Sequence, residues 1–256
     1  MSHHPPFLSG PPTGPVPVPP PLAVHADGHA AHPVWRNELG GLTFRIDHPD
    51  GPRFAKWAPA GSGLDLAAEA RRLAWAAAFT PVPRVLDHGA DATGTWLLTA
   101  ALDGTSAVAP RWSAEPAVAV RAIGEGLRAL HEALPVPDCP FDWTVPRRLA
   151  RARAHGRLDE ARARALLDQA PPVDRLVVCH GDPCAPNTLI GDDGRWSGHV
   201  DLGSLGVADR WADLAVAAWS TEWNYGPGWQ EALIDAYGLT PDPERLAYYR
   251  ALWDAT

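Results

Sequence analysis

The hydrophobic pattern of this chain changes character near residue 100, and that change restricts the folds open to it. Before it, Leu42-Thr43-Phe44-Arg45-Ile46 and Pro52-Arg53-Phe54-Ala55-Lys56-Trp57 alternate apolar and polar residues across His48-Pro49-Asp50-Gly51, which predicts a β-hairpin. Val85-Leu86 and Trp96-Leu97-Leu98-Thr99 read as further strands. Ser62-Gly63-Leu64-Asp65 has the form of a capping box opening a helix to about Phe79. Beyond residue 100 the period is helical. Glu115-Pro116 starts a helix with Val120, Ile123, Leu127, Leu130 and Leu134 on one stripe. Residues 146–169 predict a helix or a pair of helices, and further helices are expected over 211–220, 229–237 and 243–253. Within this half, Leu176-Val177-Val178-Cys179 is a short buried strand. Thr188-Leu189-Ile190 and His199-Val200 flank Gly191-Asp192-Asp193-Gly194 as a second hairpin. Strands first and helices later make an α+β protein: a small β-rich N-lobe at 24–100, a larger helical C-lobe at 101–256, and a linker near Thr99 to Gly104.

Nine of the 28 prolines fall in the first 21 residues, so residues 1–23 are expected to form an extended or disordered tail. The remainder is rich enough in apolar residues (46%, with 12 Trp) to build cores. No 18-residue apolar run and no charged-then-apolar N-terminus occur, so no membrane span and no secretory signal are expected. Cys139, Cys179 and Cys184 are odd in number and lack metal-type spacing, as reduced thiols of a cytoplasmic protein would. A net charge of −8 argues against nucleic acid and suits a cationic small molecule. The oligomeric state is not legible, and a monomer is the default.

One stretch carries chemistry. His180-Gly181-Asp182-Pro183-Cys184-Ala185-Pro186-Asn187 is followed by Asp201-Leu202-Gly203. Phosphoryl transfer works by positioning and charge stabilisation, and needs a carboxylate to take the acceptor's proton and hard oxygens to hold Mg²⁺ against the phosphates of ATP. Asp182 fits the first role; Asn187 and Asp201 fit the second. The spacing is similar to the H-x-D-x-x-x-x-N and D-x-G elements of protein kinases, with Gly181 where Arg is usual. Asp and Asn also satisfy loop amides in ordinary turns, but their combination with His-Gly and a hairpin leading to Asp201 favours catalysis. His180 is expected to hold the loop, and Asp213 to tie it down.

Lys56, the only lysine in the chain, sits on an alternating strand, and Glu69 lies thirteen residues on in the predicted helix. A strand lysine held by a helix glutamate is how such enzymes grip nucleotide phosphates. Asn37-Glu38-Leu39-Gly40-Gly41-Leu42-Thr43 is either a turn over the nucleotide or a plain hairpin turn, and no P-loop motif exists. Trp219, Trp223, Trp229 and Trp253 read as core before sugar platforms. Glu222 and Asp254 either face a polycation or are ordinary exposed carboxylates.

From Leu176 to Trp253 the text resembles the aminoglycoside O-phosphotransferases, antibiotic kinases of protein-kinase-like two-lobe fold. The resemblance rests on Val177-Val178-Cys179-His180-Gly181-Asp182-Pro183-Cys184, Pro186-Asn187, Gly198-His199-Val200-Asp201-Leu202-Gly203 and Leu205-Gly206-Val207-Ala208-Asp209-Arg210-Trp211-Ala212-Asp213. Leu130-His131, Cys139-Pro140-Phe141-Asp142 and Leu246-Ala247-Tyr248-Tyr249-Arg250 extend it. It implies Asp182 as base, Asn187 and Asp201 as Mg²⁺ ligands, Lys56 and Glu69 on the ATP phosphates, and the backbone of Ala100 to Leu102 against adenine. It also implies Glu222 and Asp254 on the ammonium groups of an aminoglycoside. Ser204 departs from the family's usual Arg, and the ending Leu252-Trp253-Asp254-Ala255-Thr256 from its usual Leu-Asp-Glu-Phe-Phe. The lack of that ending, together with Cys179-His180-Gly181-Asp182-Pro183-Cys184, resembles the streptomycin 3″-enzymes and favours the 3″-hydroxyl of streptomycin over the 3′-hydroxyl of kanamycin or neomycin. The competing expectations are a kinase of choline, homoserine or a sugar, and a nucleotide-binding pseudokinase.

Overall fold

The structure, a computed structural model, describes residues 9–256. The chain divides into two compact units. The first comprises the described residues up to Ala78 with Pro83–Leu102, the second Phe79–Val82 with Asp103–Thr256.

The first unit contains helix α1 (Pro20–Ala26), strands β1 (Ala31–Arg36), β2 (Leu42–Ile46) and β3 (Arg53–Pro59), helix α2 (Leu66–Ala76), and strands β4 (Val85–Ala90) and β5 (Gly94–Ala100). The strands form one antiparallel sheet in the order β1-β2-β3-β5-β4. Alternation along β2 puts Leu42, Phe44 and Ile46 inward, where they meet Ala55, Leu98 and two residues of α1, Leu22 and Ala26. Within the expected tail, residues 20–23 are therefore helical, residues 11–19 have no regular secondary structure, and residues 1–8 lie outside the described residues. Pro20 and Pro21 occupy the first helical positions, where an N–H would have no partner, and Leu22 and Ala26 stand one turn apart on the buried face. Val16 and Val18 pack against the same core. Strand β1 has no clean alternation to predict it: Pro33 interrupts the sequence, and the register shifts between Pro33 and Trp35 at this sheet edge.

Helix α2 is capped by Asp65, whose Oδ1 accepts from the Ala68 amide at 2.8 Å, and not by Ser62. The Ser62 hydroxyl only closes a local turn on the Leu64 amide, and the helix stops at Ala76, short of Phe79. The 37–43 segment is an ordinary hairpin turn. Asn37 Oδ1 accepts from the amides of Leu39 (3.1 Å) and Gly41 (2.7 Å), and Asn37 O from Gly40, so those amides are already engaged.

The second unit is largely helical. In chain order it holds β6 (Thr105–Ser106), α3 (Pro110–Ala114), α4 (Pro116–Ala133), α5 (Val145–Ala154), α6 (Glu160–Asp168), β7 (Leu176–Cys179), β8 (Thr188–Ile190), β9 (Trp196–His199), β10 (Gly206–Asp209), α7 (Trp211–Tyr225), α8 (Gln230–Tyr237) and α9 (Pro243–Ala255). The α4 stripe is buried throughout, from Val120 to Leu134. Gly124 lets this helix approach α8 so closely that a Cβ there would meet the Leu233 carbonyl and Ala236. β7 pairs antiparallel with β10, a strand absent from the sequence reading, and β8 pairs with β9 and β6. No helix among the described residues is long and apolar enough to cross a membrane.

Candidate active site

β7 ends at Cys179 and β8 begins at Thr188, so the motif occupies the loop 180–187, closed by a 3₁₀ turn over Ala185–Asn187. Gly181 is obligatory here. Its φ is +85°, and a Cβ would run into the Ser204 backbone, which passes directly against it. This close passage explains Gly in place of Arg at that position.

The back of the loop is fastened to α7. Asp213, fully buried in the helix's first turn, accepts from the amides of His180 (2.6 Å) and Gly181 (3.0 Å) and from His131 Nε2 (3.0 Å). His131, at the end of α4, reaches the Tyr237 hydroxyl of α8 through Nδ1 at 2.9 Å. Burial opposes ionisation of Asp213, yet these donors and the neighbouring histidines outweigh it and hold its pKa below the ordinary 3.8. Burial pushes Tyr237 up to about 12, so its hydroxyl keeps its proton. His180 braces the loop from within: its Nδ1 accepts from the Asp182 amide (3.2 Å), leaving Nε2–H to donate to Val200 O (3.0 Å). Buried His199 packs edge-on against the His180 ring at 5.5 Å, and burial drives its pKa well down, so it is neutral.

The front of the loop is different. Asn187 Nδ2 donates to Asp182 O at 2.9 Å, and Val200 N donates to Asn187 O at 3.0 Å, which ties Asn187 to both Asp182 and the approach to Asp201. Asp201 adopts a left-handed backbone with φ of 64°, uncommon for a residue with a side chain. Oδ1 of Asp182 is buried with no hydrogen-bond partner among the described residues. Burial first, and the adjacent charge of Asp201 second, raise the Asp182 pKa above 3.8. Asn187 is thus bonded to Asp182, and the charge of Asp201 lies beside both. Ser220 of α7, which sequence reasoning missed, supports them: its hydroxyl accepts from the Ala185 amide (2.9 Å) and from Asn224 Nδ2 (3.1 Å). A serine inside an apolar helix gives no pattern to find it by. His131 left only the faint signal of a polar residue at the end of the α4 stripe.

In the first unit, Lys56 Nζ lies 2.7 Å from Glu69 Oε1, and Glu69 is buried on α2. Lys56 stands opposite Thr43 on one side and Leu97 on the other, in the middle of the sheet. At the end of β5 the Ala100 amide donates to Arg84 O and the Ala101 amide to Pro52 O, whereas the Leu102 amide makes no hydrogen bond among the described residues.

Two expected substrate residues separate. Glu222 of α7 accepts from the side-chain amide of Gln230, whose oxygen in turn accepts from Arg250, so its charge is partly answered within the protein. Asp254 is exposed in the last turn of α9, without a hydrogen bond or ion pair among the described residues. The Trp219 and Trp223 rings meet at a tilt with centroids 4.8 Å apart, and Trp219, Trp223, Trp229 and Trp253 are all only half-buried, not core.

A model of the phosphotransferase enzyme family matches residues 36–249. The chain is 40% identical over 256 residues to an aminoglycoside 3′-phosphotransferase of Streptomyces fradiae, covering 88% of this chain and 94% of the relative. It is 35% identical to a streptomycin 3″-kinase of Streptomyces griseus, covering 84% and 88%. The structure of aminoglycoside phosphotransferase APH(3″)-Id from Streptomyces rimosus, in complex with ADP and streptomycin, matches with a TM-score of 0.69 at 30% identity, over 91% of this chain and 96% of that one. The chain belongs to the aminoglycoside phosphotransferase family and is an O-phosphotransferase, a kinase.

Proposed function

We propose that this enzyme transfers the γ-phosphoryl group of ATP to a hydroxyl of an aminoglycoside, with Asp182 as the group that orients the hydroxyl and receives its proton. The acceptor oxygen bonds to the γ-phosphorus, the bond from that phosphorus to the β-bridging oxygen breaks, ADP departs, and the hydroxyl proton passes to Asp182. The observation that carries this reading is the buried, unpartnered Oδ1 of Asp182: a carboxylate oxygen kept from internal donors has room for one from a substrate. Its raised pKa makes it a better proton acceptor than an exposed aspartate.

Asn187 and Asp201 bring hard oxygens next to Asp182, and this donor set fits Mg²⁺. The ion, when bound, neutralises phosphate charge. Lys56, held by Glu69, is the proposed contact for the nucleotide phosphates. For adenine the proposed donor is the Leu102 amide, with Ala100 contributing its carbonyl only, since its amide is engaged. The ADP bound to the Streptomyces rimosus relative supports nucleotide use.

Glu222 and Asp254 are proposed for the ammonium groups of the substrate. The stretch Cys179-His180-Gly181-Asp182-Pro183-Cys184 and the 35% identity to the Streptomyces griseus streptomycin 3″-kinase support the 3″-hydroxyl of streptomycin. A second reading, the 3′-hydroxyl of a kanamycin-type substrate, is favoured by the 40% identity to the Streptomyces fradiae relative. An acceptor panel of streptomycin, kanamycin, neomycin, choline and a hexose, with ATP consumption measured and the phosphorylated position located by phosphorus NMR, separates these. Turnover with choline or a hexose alone would overturn the aminoglycoside assignment. Magnesium-dependent nucleotide binding without turnover on any acceptor would identify a pseudokinase.

A further inference from the structure

In the second unit, residues 103–108 run along the ribbon that begins just after Asn187, and their hydrogen bonds fall on the backbone either side of that residue. Thr105 pairs with Ile190 and Ser106 with Leu189 in the β6–β8 ladder. The Ala107 amide then donates to Thr188 O at 2.8 Å, and the Ser106 hydroxyl donates to Pro186 O at 2.9 Å. The carbonyls before and after Asn187 are thus both bound by adjacent residues of one segment.

Proline has no N–H, so its carbonyl is the only hydrogen-bonding group by which residue 186 can be held. Asn187 commits its amide to Cys184 O (2.9 Å), its carbonyl to Val200 N (3.0 Å) and its Nδ2 to Asp182 O (2.9 Å). Oδ1 is the polar atom of its side chain left without a hydrogen bond among the described residues. The Ser106 hydroxyl is itself oriented. It accepts from the Val108 amide at 3.4 Å, which turns its proton toward Pro186. The segment around it is fixed as well: buried Trp112 donates Nε1–H to Thr105 Oγ1, the Tyr225 hydroxyl donates to Ala107 O, and Ser197 Oγ donates to Asp103 O, each at 2.8 Å. Of the two bonds flanking Asn187, the one from Ala107 is main chain and needs no particular side chain. The one from Ser106 needs a hydroxyl.

We propose that Ser106 is a positioning residue for the metal: by holding the Pro186 carbonyl it sets the 3₁₀ turn Ala185–Asn187 so that Asn187 offers Oδ1 to Mg²⁺. This rests on the reading of Asn187 as a Mg²⁺ ligand. Hydrogen bonds behind a metal ligand fix its orientation before the ion arrives, and metal affinity falls when they are removed.

Titration calorimetry of the full chain with ADP, repeated from EDTA to saturating Mg²⁺, tests this through binding alone. In Ser106→Ala the Mg²⁺ concentration that half-completes the tightening of ADP binding should rise about tenfold, as expected for one hydrogen bond supporting a metal ligand. Its ADP affinity in EDTA should stay at the parent's value. Ser106→Thr keeps the hydroxyl and should restore the parent's Mg²⁺ requirement. Ser113 of α3 donates to Val108 O at 3.1 Å, in the same segment but away from the carbonyls that flank Asn187, so Ser113→Ala should leave that requirement unchanged. The proposal is overturned by an unchanged Mg²⁺ requirement in Ser106→Ala, by an equal rise in Ser113→Ala, by failure of Ser106→Thr to restore it, or by an equal loss of ADP affinity in EDTA. Asn187→Ala separates the two levels. If it raises the Mg²⁺ requirement and Ser106→Ala does not, the role of Ser106 alone fails. If Asn187→Ala keeps the parent's requirement, or Mg²⁺ does not tighten ADP binding in the parent, the metal-ligand reading fails and takes the role of Ser106 with it.

Discussion

The two faces of the 180–187 loop treat a carboxylate in opposite ways. Behind the loop, Asp213 has every oxygen engaged by donors from α4 and the loop backbone, and its pKa is depressed. In front, Asp182 keeps a buried oxygen without a partner beside the charge of Asp201, and its pKa is raised. Both residues are withdrawn from water. What separates them is how fully the protein supplies donors: Cys184 donates to Asp182 through its thiol and amide, but Oδ1 keeps no partner among the described residues. A saturated carboxylate holds a backbone in place; an unsaturated one is maintained at a cost to stability, which natural folds accept where chemistry needs it.

Substituting each residue in turn sharpens or breaks this contrast. The largest effect is expected from Asp182→Asn: kcat should fall by about a thousandfold, in the range lost with a general base. Melting temperature near neutral pH should stay level or rise, because an ionised, under-bonded group is gone. If Asp182→Asn instead unfolds as readily as a loop-anchor variant, the front carboxylate is structural and the contrast fails.

Asp213→Ala should cost about 3 kcal/mol or more in denaturant unfolding, as removal of one member of a buried polar network does. Activity should fall with it, since the His180 and Gly181 amides lose their anchor.

The pH dependences should differ in sign. Asp213, with a folded pKa below 3.8, contributes stability above the unfolded value that is lost as pH falls through the folded one. Asp182, with a folded pKa above 3.8, favours the fold in acid, and that contribution is lost as pH rises through its folded pKa. Melting curves between about pH 3 and 7 should therefore show the Asp213→Ala deficit shrinking in acid, while any gain of Asp182→Asn grows from about pH 4 upward.

Lys56→Met should lower kcat/KM for ATP by about tenfold to a hundredfold, as loss of a charge-assisted phosphate contact predicts, with the acceptor KM little changed. The smallest effect is expected for Glu222→Gln, a rise of about threefold in aminoglycoside KM, because Gln230 and Arg250 already answer part of that charge. A larger loss would make Glu222 a principal substrate contact.

Much of this arrangement was legible beforehand because it is local. The β2–β3 hairpin, the α4 stripe and the β8–β9 ribbon follow from periodicity and turn residues within one segment. Asp182, Asn187 and Asp201 are spaced by a loop and a hairpin, so their convergence could be read from the chain itself. The pairing of Lys56 with Glu69 needed only a strand followed by a helix. Other features had no local signature. Residues 20–26 form a helix because a sheet formed downstream offers Phe44 and Ile46 to Leu22. β10 exists because β7 needs a partner. Ser220 and His131 matter through partners far along the chain, the Ala185 amide for one and the Asp213 carboxylate and Tyr237 hydroxyl for the other.

The sequence by itself determined the longer strands and helices, the clustering of polar residues around the 180–187 loop, and the family. It could do so because periodicity and short-range spacing are properties of neighbouring residues. Tertiary structure decided how fully each carboxylate is satisfied and which amides remain to donate. Those outcomes depend on desolvation and on partners distant in the chain, as between Asp213 and the His131 of another helix. No local pattern encodes them.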